Sequence, residues 1–250
     1  MTKGKKITIW ILAIVLAVIV GTVGTVYFYG NHLFNKLEKV EIDKEDIGIT
    51  EEVQEKLSQY SNSIINIALF GVDAVDGDVG RSDSIMIATI DTVHKKLKLT
   101  SIMRDSYVAI DGHGNDKLNH AYAFGGPQLA IKTLNENFDL NIENFASVNF
   151  ETLPKIIDEL GGIELNIDAD ELEYINGYIA HLNNINGTSE PAIESTGIQH
   201  VSGTQALAFC RIRYTSGGDY KRTERHREVL TEIFKKIETM PVNSYPSLLS

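Results

Sequence analysis

The sequence predicts an α/β domain, with a mixed central β-sheet flanked by helices in an α-β-α sandwich-like arrangement. From Ser63 onward, short apolar segments typical of strands alternate with segments whose apolar residues recur at helical spacing. With 250 residues, the chain is long enough for one domain with a hydrophobic core and an additional appendage. The appendage is predicted at the N-terminus, where a long uncharged segment differs from the rest.

Residues 7–30 are predicted to form a transmembrane signal-anchor helix. They carry no charged side chain and follow Lys3, Lys5 and Lys6. As a helix they would span about 36 Å, enough to cross a hydrocarbon core of roughly 30 Å. The lysines predict a cytoplasmic tail at 1–6 and a single-pass protein of the cell membrane with its domain outside. A cleaved signal peptide is the alternative, but it would have a shorter apolar region and a small-x-small cleavage site.

The folded domain is predicted to span residues 63–250, after a charged extracellular tether at 31–62 that contains some helix. Residues 63–73 form an almost continuous apolar run, which is typical of a strand buried on both faces. Residues 84–91 and 95–103 flank a short turn and are predicted to form a β-hairpin.

The second half of the chain supplies most of the predicted helices. Helices are predicted at 125–138, 153–160, 202–209 and 222–237, and strands at 144–150, 163–167 and 210–214. Pro127 lies in the first turn of the first of these helices, and Gly161 and Gly162 end the second. Residues 168–200 are polar and have no clear pattern.

Composition and missing motifs exclude several classes of function. A formal net charge of −11 argues against a general nucleic-acid binder, whose surface would be basic. The single cysteine, Cys210, excludes an internal disulfide and is predicted to be a small core residue. The sequence has no P-loop, no GxSxG and no HExxH, which excludes P-loop nucleotide hydrolysis, serine-triad acyl transfer and zinc proteolysis.

Basic side chains are concentrated near the C-terminus of this acidic chain. Between residues 211 and 228 the sequence contains Arg211, Arg213, Lys221, Arg222, Arg225 and Arg227, with His226 among them. Because arginine matches phosphate oxygens bidentately and a helix N-terminus favours anions, this cluster predicts a phosphate-type ligand. The alternative is a solvated helix face with ion pairs.

The helical pattern distinguishes between these arginines. The apolar stripe that ends at Val229 continues backwards into Arg225 or His226 and then Arg222, so these side chains are predicted to be buried with a partner or to line a cleft. Arg211 and Arg213 are predicted to lie on a strand and to point to one face.

Two aspartates form a second candidate site. Asp73 ends one predicted strand and Asp83 begins the next, so a short loop could bring the carboxylates together as partial Mg²⁺ ligands. The alternative is an ordinary polar turn. Arg81 and Arg104 lie close in sequence to the predicted strand ends, and Asp219 is expected either to cap the last helix or to orient an arginine.

Lys117, Asn119 and His120 lie in the segment KLNHAYAFGG. Such residues are more often loop and helix-capping residues than catalytic ones, and we interpret them in that way.

Together these motifs resemble the LytR-CpsA-Psr family of cell-envelope proteins. The resemblance covers residues 64–237 and is carried by NIALFGVD, RSDSIMIATI, SIMRDSYV, KLNHAYAFGG, LGGIELNI, GIQHVSGTQALAFCRIRY and DYKRTERHREVL. It implies a mixed α/β domain with an elongated apolar pocket for a polyprenyl chain. The implied activity is transfer of a glycopolymer (wall teichoic acid, capsular or related polysaccharide) from an undecaprenyl-pyrophosphate carrier to a peptidoglycan hydroxyl, forming a phosphodiester link with Mg²⁺ or Mn²⁺.

The resemblance also implies residue roles. Asp73 and Asp83 would hold the metal and act in catalysis with Arg104 and Arg213, while the pyrophosphate would be bound by Arg81, Arg104, Arg211, Arg213 and Arg222, supported by Asp219, Arg225 and His226. The family usually has glutamine where this chain has His226. Relatives generally continue for some tens of residues beyond the position of Ser250, so we expect this chain to be either truncated or a short member. A membrane-tethered regulator that binds lipid-linked anions and a polyprenyl pyrophosphatase are the alternative functions.

Overall fold

The computed structural model describes residues 40–58, 63–73, 80–149 and 151–241. The predicted tail at 1–6 and anchor at 7–30 lie outside this part, within which no helix is long and apolar enough to cross a membrane. In chain order the elements are α1 (Glu51–Ser58), β1 (Ile64–Asp73), β2 (Arg81–Asp91), β3 (Lys96–Ile102), β4 (Tyr107–Ile110), β5 (Gly114–Lys117), α2 (Leu118–Phe138), β6 (Asn144–Asn149), α3 (Thr152–Glu159), β7 (Ile163–Ile167), α4 (Ala169–Asn186), β8 (Gly197–Val201), α5 (Gly203–Arg211) and α6 (Gly218–Thr239).

A mixed four-stranded sheet in the order β3-β2-β1-β6 confirms the predicted fold class. Strand β2 pairs antiparallel with β1 and β3, and β6 is parallel to β1. The predicted hairpin is β2–β3, and the Asp91 carboxylate stabilises its turn by accepting backbone hydrogen bonds from Val93 at 3.1 Å and His94 at 2.9 Å.

One face of the sheet forms the hydrophobic core with α2. Phe70 of β1 and Ile87 of β2 are buried there together with Ile131 and Leu134 of the helix. Removing each such side chain from water contributes roughly 1.5–3 kcal/mol. The core therefore fixes the position of β1 and β2, whose ends carry Asp73 and Asp83.

Helix α2 is longer than the sequence predicts and consists of two segments. It begins at Leu118, and the backbone is non-helical at Gly125 and at Gly126, where φ is 61°. A residue with a side chain rarely adopts this conformation, so glycine is required at the break. Pro127 then begins the second segment, as its position in a first turn predicts.

The opposite face of β1 borders a cavity. Leu69 and Gly71 are half-buried, and they line this cavity together with Val229 and Phe234 of α6. The apolar run at 63–73 is thus explained by two different environments, since one face packs in the core and the other forms a cavity wall.

Part of the predicted tether belongs to the domain. Ile47 and Val53 are buried, and Asn135 donates a hydrogen bond to the Ile47 carbonyl at 2.7 Å. Gln128 donates to the Asp46 carbonyl at 2.6 Å. The compact unit spans Glu41–Thr239, so the domain begins before the predicted boundary at residue 63.

Two helices differ from the sequence prediction for physical reasons. The predicted strand at 210–214 is wrong, because α5 continues to Arg211 after a capping box formed by Ser202 and Gln205. Helix α4 lies in the unassigned region 168–200 and begins with a second capping box, between Asp168 and Glu171. Both boxes satisfy first-turn N–H groups and so favour a helix where the apolar pattern is weak.

Candidate active site

An apolar cavity of about 410 Å³ lies between the sheet and helices α5 and α6. Its walls include Leu69, Met86, Val148, Leu153, Tyr178, Leu207, Leu230 and Phe234. Charged and polar side chains gather among its lining residues: Asp73, Asp83, Arg211, Arg213, Arg222 and His226. An apolar space with charged groups in its lining suits an amphiphile.

A polar cavity of about 500 Å³ adjoins the apolar one, since both are lined by Asp73, Asp83 and Arg213. The remaining lining residues of the polar cavity are Arg81, Arg104, Asp105, Lys117, Asn119 and His120. The structure therefore brings the predicted aspartates and most of the predicted arginines into one continuous site.

Asp83 is the anionic centre of the arginine cluster. Its Oδ1 lies 2.9 Å from Nη1 of Arg104, and its Oδ2 lies 3.6 Å from Arg213 and 4.0 Å from Arg222. Arg222 also donates to the Asp83 carbonyl at 2.6 Å. Strand β2 thus positions Asp83 against guanidinium groups from the β3–β4 loop, the α5–α6 segment and α6.

Asp219 orients Arg222. It lies in the first turn of α6, and its Oδ1 accepts a hydrogen bond from Arg222 Nη1 at 3.1 Å. Its Oδ2 lies 3.9 Å from Arg104. Of the two roles expected for Asp219, the structure supports the orienting one, because helix α6 already begins at Gly218.

The site is cationic in balance. The two cavities are lined by six cationic side chains, Arg81, Arg104, Lys117, Arg211, Arg213 and Arg222, but only by three carboxylates, those of Asp73, Asp83 and Asp105. Burial, together with repulsion from Arg104, lowers the pKa of Arg222, which is only 4 % exposed. For Arg104, burial also disfavours the charge, but Asp83, Asp219 and Asp105 outweigh it and raise the pKa. An anionic ligand would compensate the excess positive charge around Arg222.

Arg211 and Arg213 both line the apolar cavity, but not because they share a strand. Arg211 is the last residue of α5, and Arg213 follows in the connection to α6. The sequence predicts that these two side chains lie on one face. In the structure they line the same cavity because helix α5 ends between them.

Arg225 does not line either cavity; of the two placements that the sequence predicts, it is buried with a partner. It is 1 % exposed and donates from Nε to Glu171 at 2.8 Å, from Nη1 to the Ile212 carbonyl at 3.0 Å and from Nη2 to the Thr215 hydroxyl. Glu171 comes from α4, so this buried pair fixes the segment that carries Arg213. Arg225 has a positioning role.

His226 lines the apolar cavity as a neutral side chain. Its Nε2 lies 3.0 Å from the Cys210 carbonyl, which can only accept, so Nε2 carries the hydrogen. Within the part of the chain that the structure describes, Nδ1 has no partner. Burial, with repulsion from Arg222, lowers the pKa of His226 to about 4. At neutral pH its free nitrogen is therefore an acceptor, whereas a glutamine amide would also offer a donor.

Sequence reasoning missed four of the residues that line the polar cavity. Asp105, Lys117, Asn119 and His120 line it, although the last three were expected to serve a loop and a helix cap. His120 Nδ1 lies 2.8 Å from Asp116 Oδ2. The four-residue spacing between Asp116 and His120 was the available signal, but it crosses the β5–α2 junction, which the sequence does not show.

Asp73 and Asp83 are the residues that could hold a metal ion. In the described ranges no group of three or more His, Cys, Asp or Glu side chains could do so. The pair nevertheless suits a magnesium ion, which usually takes one or two carboxylates and completes its shell with waters and phosphate oxygens. Oδ2 of Asp83 is only loosely engaged, at 3.6 Å and 4.0 Å from its arginine neighbours. The donor set fits.

In this α/β domain an apolar cavity meets a cationic polar cavity. This arrangement suits a protein that binds an amphiphile with an anionic head group. The LytR_cpsA_psr family model matches residues 28–249, and the chain belongs to this family. It is 32% identical over 256 residues to the polyisoprenyl-teichoic acid–peptidoglycan teichoic acid transferase TagU of Enterococcus faecalis, an alignment that covers 100% of this chain and 78% of the relative.

Solved structures agree with this assignment. The chain is similar to TagT bound to LIIa-WTA, with a TM-score of 0.60, 26% identity and coverage of 86% of this chain and 77% of the other. It is also similar to TagT with bound octaprenyl pyrophosphate lipid, with a TM-score of 0.57, 26% identity and coverage of 86% and 78%. TagT is a Bacillus subtilis protein.

Proposed function

We propose that this protein transfers a glycopolymer from a polyprenyl-pyrophosphate carrier to a hydroxyl of peptidoglycan, forming a phosphodiester link. The observation that supports this most directly is the junction of the two cavities at Asp73, Asp83 and Arg213. An amphiphile with an alkyl chain and a pyrophosphate would lie across that junction. The names of the relatives supply the polymer class, teichoic acid, although a capsular or related polysaccharide has the same linkage chemistry.

The apolar cavity would hold the alkyl chain of the carrier. Each buried methylene group contributes about 0.8 kcal/mol, so a chain of several isoprene units supplies substantial binding free energy. Binding energy from this remote part of the substrate can position the pyrophosphate for reaction.

The arginine cluster would bind the pyrophosphate and stabilise the reaction. When the acceptor hydroxyl attacks the phosphorus next to the sugar, the P–O bond of the anhydride breaks and charge develops on the leaving polyprenyl phosphate. Arg104, Arg213 and Arg222 are already held in place by Asp83 and Asp219, so little reorganisation is required. Arg81 and Arg211 line the same site and would contribute further contacts.

Asp73 and Asp83 would hold Mg²⁺, or Mn²⁺ in its place. When bound, the ion would act as a Lewis acid on phosphate oxygens. Residues 7–30 would anchor the enzyme in the cell membrane with its domain outside, where carrier and peptidoglycan meet.

The test uses Asp83→Ala and Arg213→Ala in a transfer assay with a lipid-pyrophosphate-linked saccharide, Mg²⁺ and soluble peptidoglycan fragments. We expect each variant to lose at least roughly 100-fold in transfer rate, because each removes a preorganised group at the developing charge. Lys235→Ala is the matched control, since among the residues that the structure describes its ammonium pairs only with Glu232, on the surface of α6. Full transfer activity in both Asp83→Ala and Arg213→Ala would refute the assignment of this site to the reaction.

The products separate this function from its alternatives. Release of saccharide phosphate to water at the same rate with and without peptidoglycan would identify a pyrophosphatase. Carrier binding with no product, even with metal and acceptor present, would identify a regulator.

A further inference from the structure

A histidine–aspartate pair lies at the polar cavity, outside the arginine cluster. His120 lines this cavity, and its Nδ1 lies 2.8 Å from Asp116 Oδ2. The hydrogen bond from His120, with that from the Lys117 backbone, lowers the pKa of Asp116, so its carboxyl is ionised and can only accept. Nδ1 therefore carries the hydrogen, and Nε2 is left with a lone pair.

The neighbouring polar groups point to a ligand that donates hydrogen bonds. Asn119 lines the same cavity and is 4 % exposed, and within the described ranges its Oδ1 has no hydrogen-bond partner. Lys117 is engaged, because its Nζ donates to Asp105 at 2.7 Å. Among the described residues, Asn119 Oδ1 has no partner and His120 is hydrogen-bonded through Nδ1, which leaves its Nε2 as a second acceptor. A hydroxyl satisfies such acceptors and a phosphate oxygen does not.

An aromatic surface beside the pair suits a sugar ring. Phe124 is 44 % exposed, stacks on His113 with ring centroids 4.3 Å apart, and lies edge-on to His120 at 5.8 Å. An exposed aromatic ring of this kind offers an apolar face to the C–H groups of a pyranose, while the neighbouring acceptors take its hydroxyls.

We propose that this side of the polar cavity is the acceptor subsite, that it takes a saccharide hydroxyl, and that His120 is the base that removes its proton. Asp116 is a positioning residue, since it fixes the ring and the tautomer of His120 without touching the acceptor. The inference rests on the proposed function, because it assigns the second substrate of that reaction.

The acceptor hydroxyl gives its proton to Nε2 of His120 as its oxygen forms a bond to the phosphorus next to the donor sugar. The P–O bond of the anhydride breaks, its electron pair leaves with the polyprenyl phosphate, and the imidazolium returns the proton to solvent. The products are a phosphodiester, polyprenyl phosphate and one proton.

As a base, His120 acts through the lone pair on its Nε2. The charged groups around it belong to several elements: Asp116 and Lys117 on β5, Arg104 and Asp105 in the β3–β4 loop, and Asp73, Arg81, Asp83 and Arg213 across the cavity. Asp116 is in direct contact, so it dominates the field at Nδ1.

The test compares His120→Gln and Asp116→Asn with the wild-type full chain. Two quantities are measured: the rate of transfer to a soluble peptidoglycan oligosaccharide, and the binding of octaprenyl pyrophosphate by calorimetry. General-base catalysis contributes roughly 100- to 10,000-fold, so we expect a loss of that order in kcat for His120→Gln with unchanged lipid binding. Asp116→Asn should also lower kcat, because the ring and tautomer of His120 are then no longer fixed, and its binding of octaprenyl pyrophosphate should again be unchanged.

His94→Gln is the matched control. Its Nδ1 pairs with Asp91 at 2.7 Å in the same manner, but it lies in the β2–β3 turn at the end of β2 remote from Asp83. It should transfer at the wild-type rate.

Two outcomes would overturn the assignment. One is wild-type transfer by His120→Gln, and the other is loss of octaprenyl pyrophosphate binding in that variant, which would assign the pair to the donor. If His120→Gln does not fold, Asp116→Asn decides between the same outcomes. Absence of phosphodiester product from the wild type itself would instead refute the proposed function.

Discussion

Removing Glu171 should destabilise the whole domain, although this residue lies outside the catalytic cavities. Its carboxylate is the only anionic partner of Arg225 among the described residues, at 2.8 Å, and both side chains are almost fully buried. Glu171 also accepts a hydrogen bond from the Asp168 backbone at 3.0 Å, which closes the capping box of α4. We therefore expect Glu171→Ala to affect both a buried charge and a helix terminus.

The burial of the Arg225–Glu171 pair sets the magnitude of the expected loss of stability. Breaking a buried ion pair by removing one partner costs about 3–5 kcal/mol, because the remaining charge stays desolvated. The Ile212 carbonyl and the Thr215 hydroxyl still accept from Arg225, which limits the loss, whereas the lost cap adds about 1 kcal/mol. We expect a net loss of about 3–5 kcal/mol, or roughly 6–20 °C in Tm for a domain of this size.

Urea denaturation of the full chain measures this difference, since a change in midpoint at constant slope is a change in stability. Glu164→Ala is the control: its carboxylate pairs with His200 at 2.8 Å, but both side chains are more than half exposed, so its loss should stay below about 1 kcal/mol. Glu171→Gln keeps an acceptor for only one of the two hydrogen bonds, since they are received by different oxygens of Glu171, and it should fall between the two. Equal midpoints for Glu171→Ala and Glu164→Ala would refute the reasoning.

Three further predictions concern the cavity and the backbone. His226 has a pKa of about 4 in the folded state against an ordinary value of 6.5, so the unfolded state binds the proton first and stability falls as pH drops from 6.5 to 4. Measured by urea denaturation, the free energy of unfolding of the wild type should fall by about 2 kcal/mol more between pH 7.5 and pH 5 than that of His226→Gln. Equal changes in the two proteins would contradict this prediction. Leu230→Trp should fill part of the apolar cavity and weaken the binding of octaprenyl pyrophosphate, measured by calorimetry, but not the binding of a short-chain analogue. An equal loss of affinity for both ligands would contradict the assignment of this cavity to the alkyl chain. Gly162→Ala should cost more than about 1 kcal/mol in urea, because φ is +81° and a Cβ would lie 2.6 Å from the His200 ring, whereas Gly177→Ala, which meets no atom within 4 Å, should not.

The elements that the sequence predicts well are those with strong local patterns. Strand β1 is an apolar run, the β2–β3 turn has Asp91 at its start, and the stripe of α6 ends in Arg222 and Arg225. The patterns of β1 and α6 reflect burial that any packing of the domain requires, whereas the turn reflects local backbone hydrogen bonds to Asp91. The convergence of Asp83 with the arginines could be predicted for the same reason, since strand ends and helix starts meet at the edge of a sheet.

The elements that escaped prediction depend on tertiary context. Helix α4 has a weak apolar pattern, and only Asp168 and Glu171 indicate its start. Arg211 lies in a segment with alternating polarity that suits a strand, but the capping box at Ser202 extends α5 through it. The role of Glu171 as the partner of Arg225 joins residues 54 positions apart, a pairing that no local pattern contains.

The two cavities also explain how an arginine-rich site can be selective. Arginines that are held by Asp83 and Asp219 would accept many phosphorylated compounds, because guanidinium recognises phosphate oxygens whatever carries them. Under the proposed function, only a ligand with a long alkyl chain also gains the burial free energy of the adjoining apolar cavity. Selectivity for a lipid-linked pyrophosphate therefore follows from joining the two cavities and not from the arginines alone.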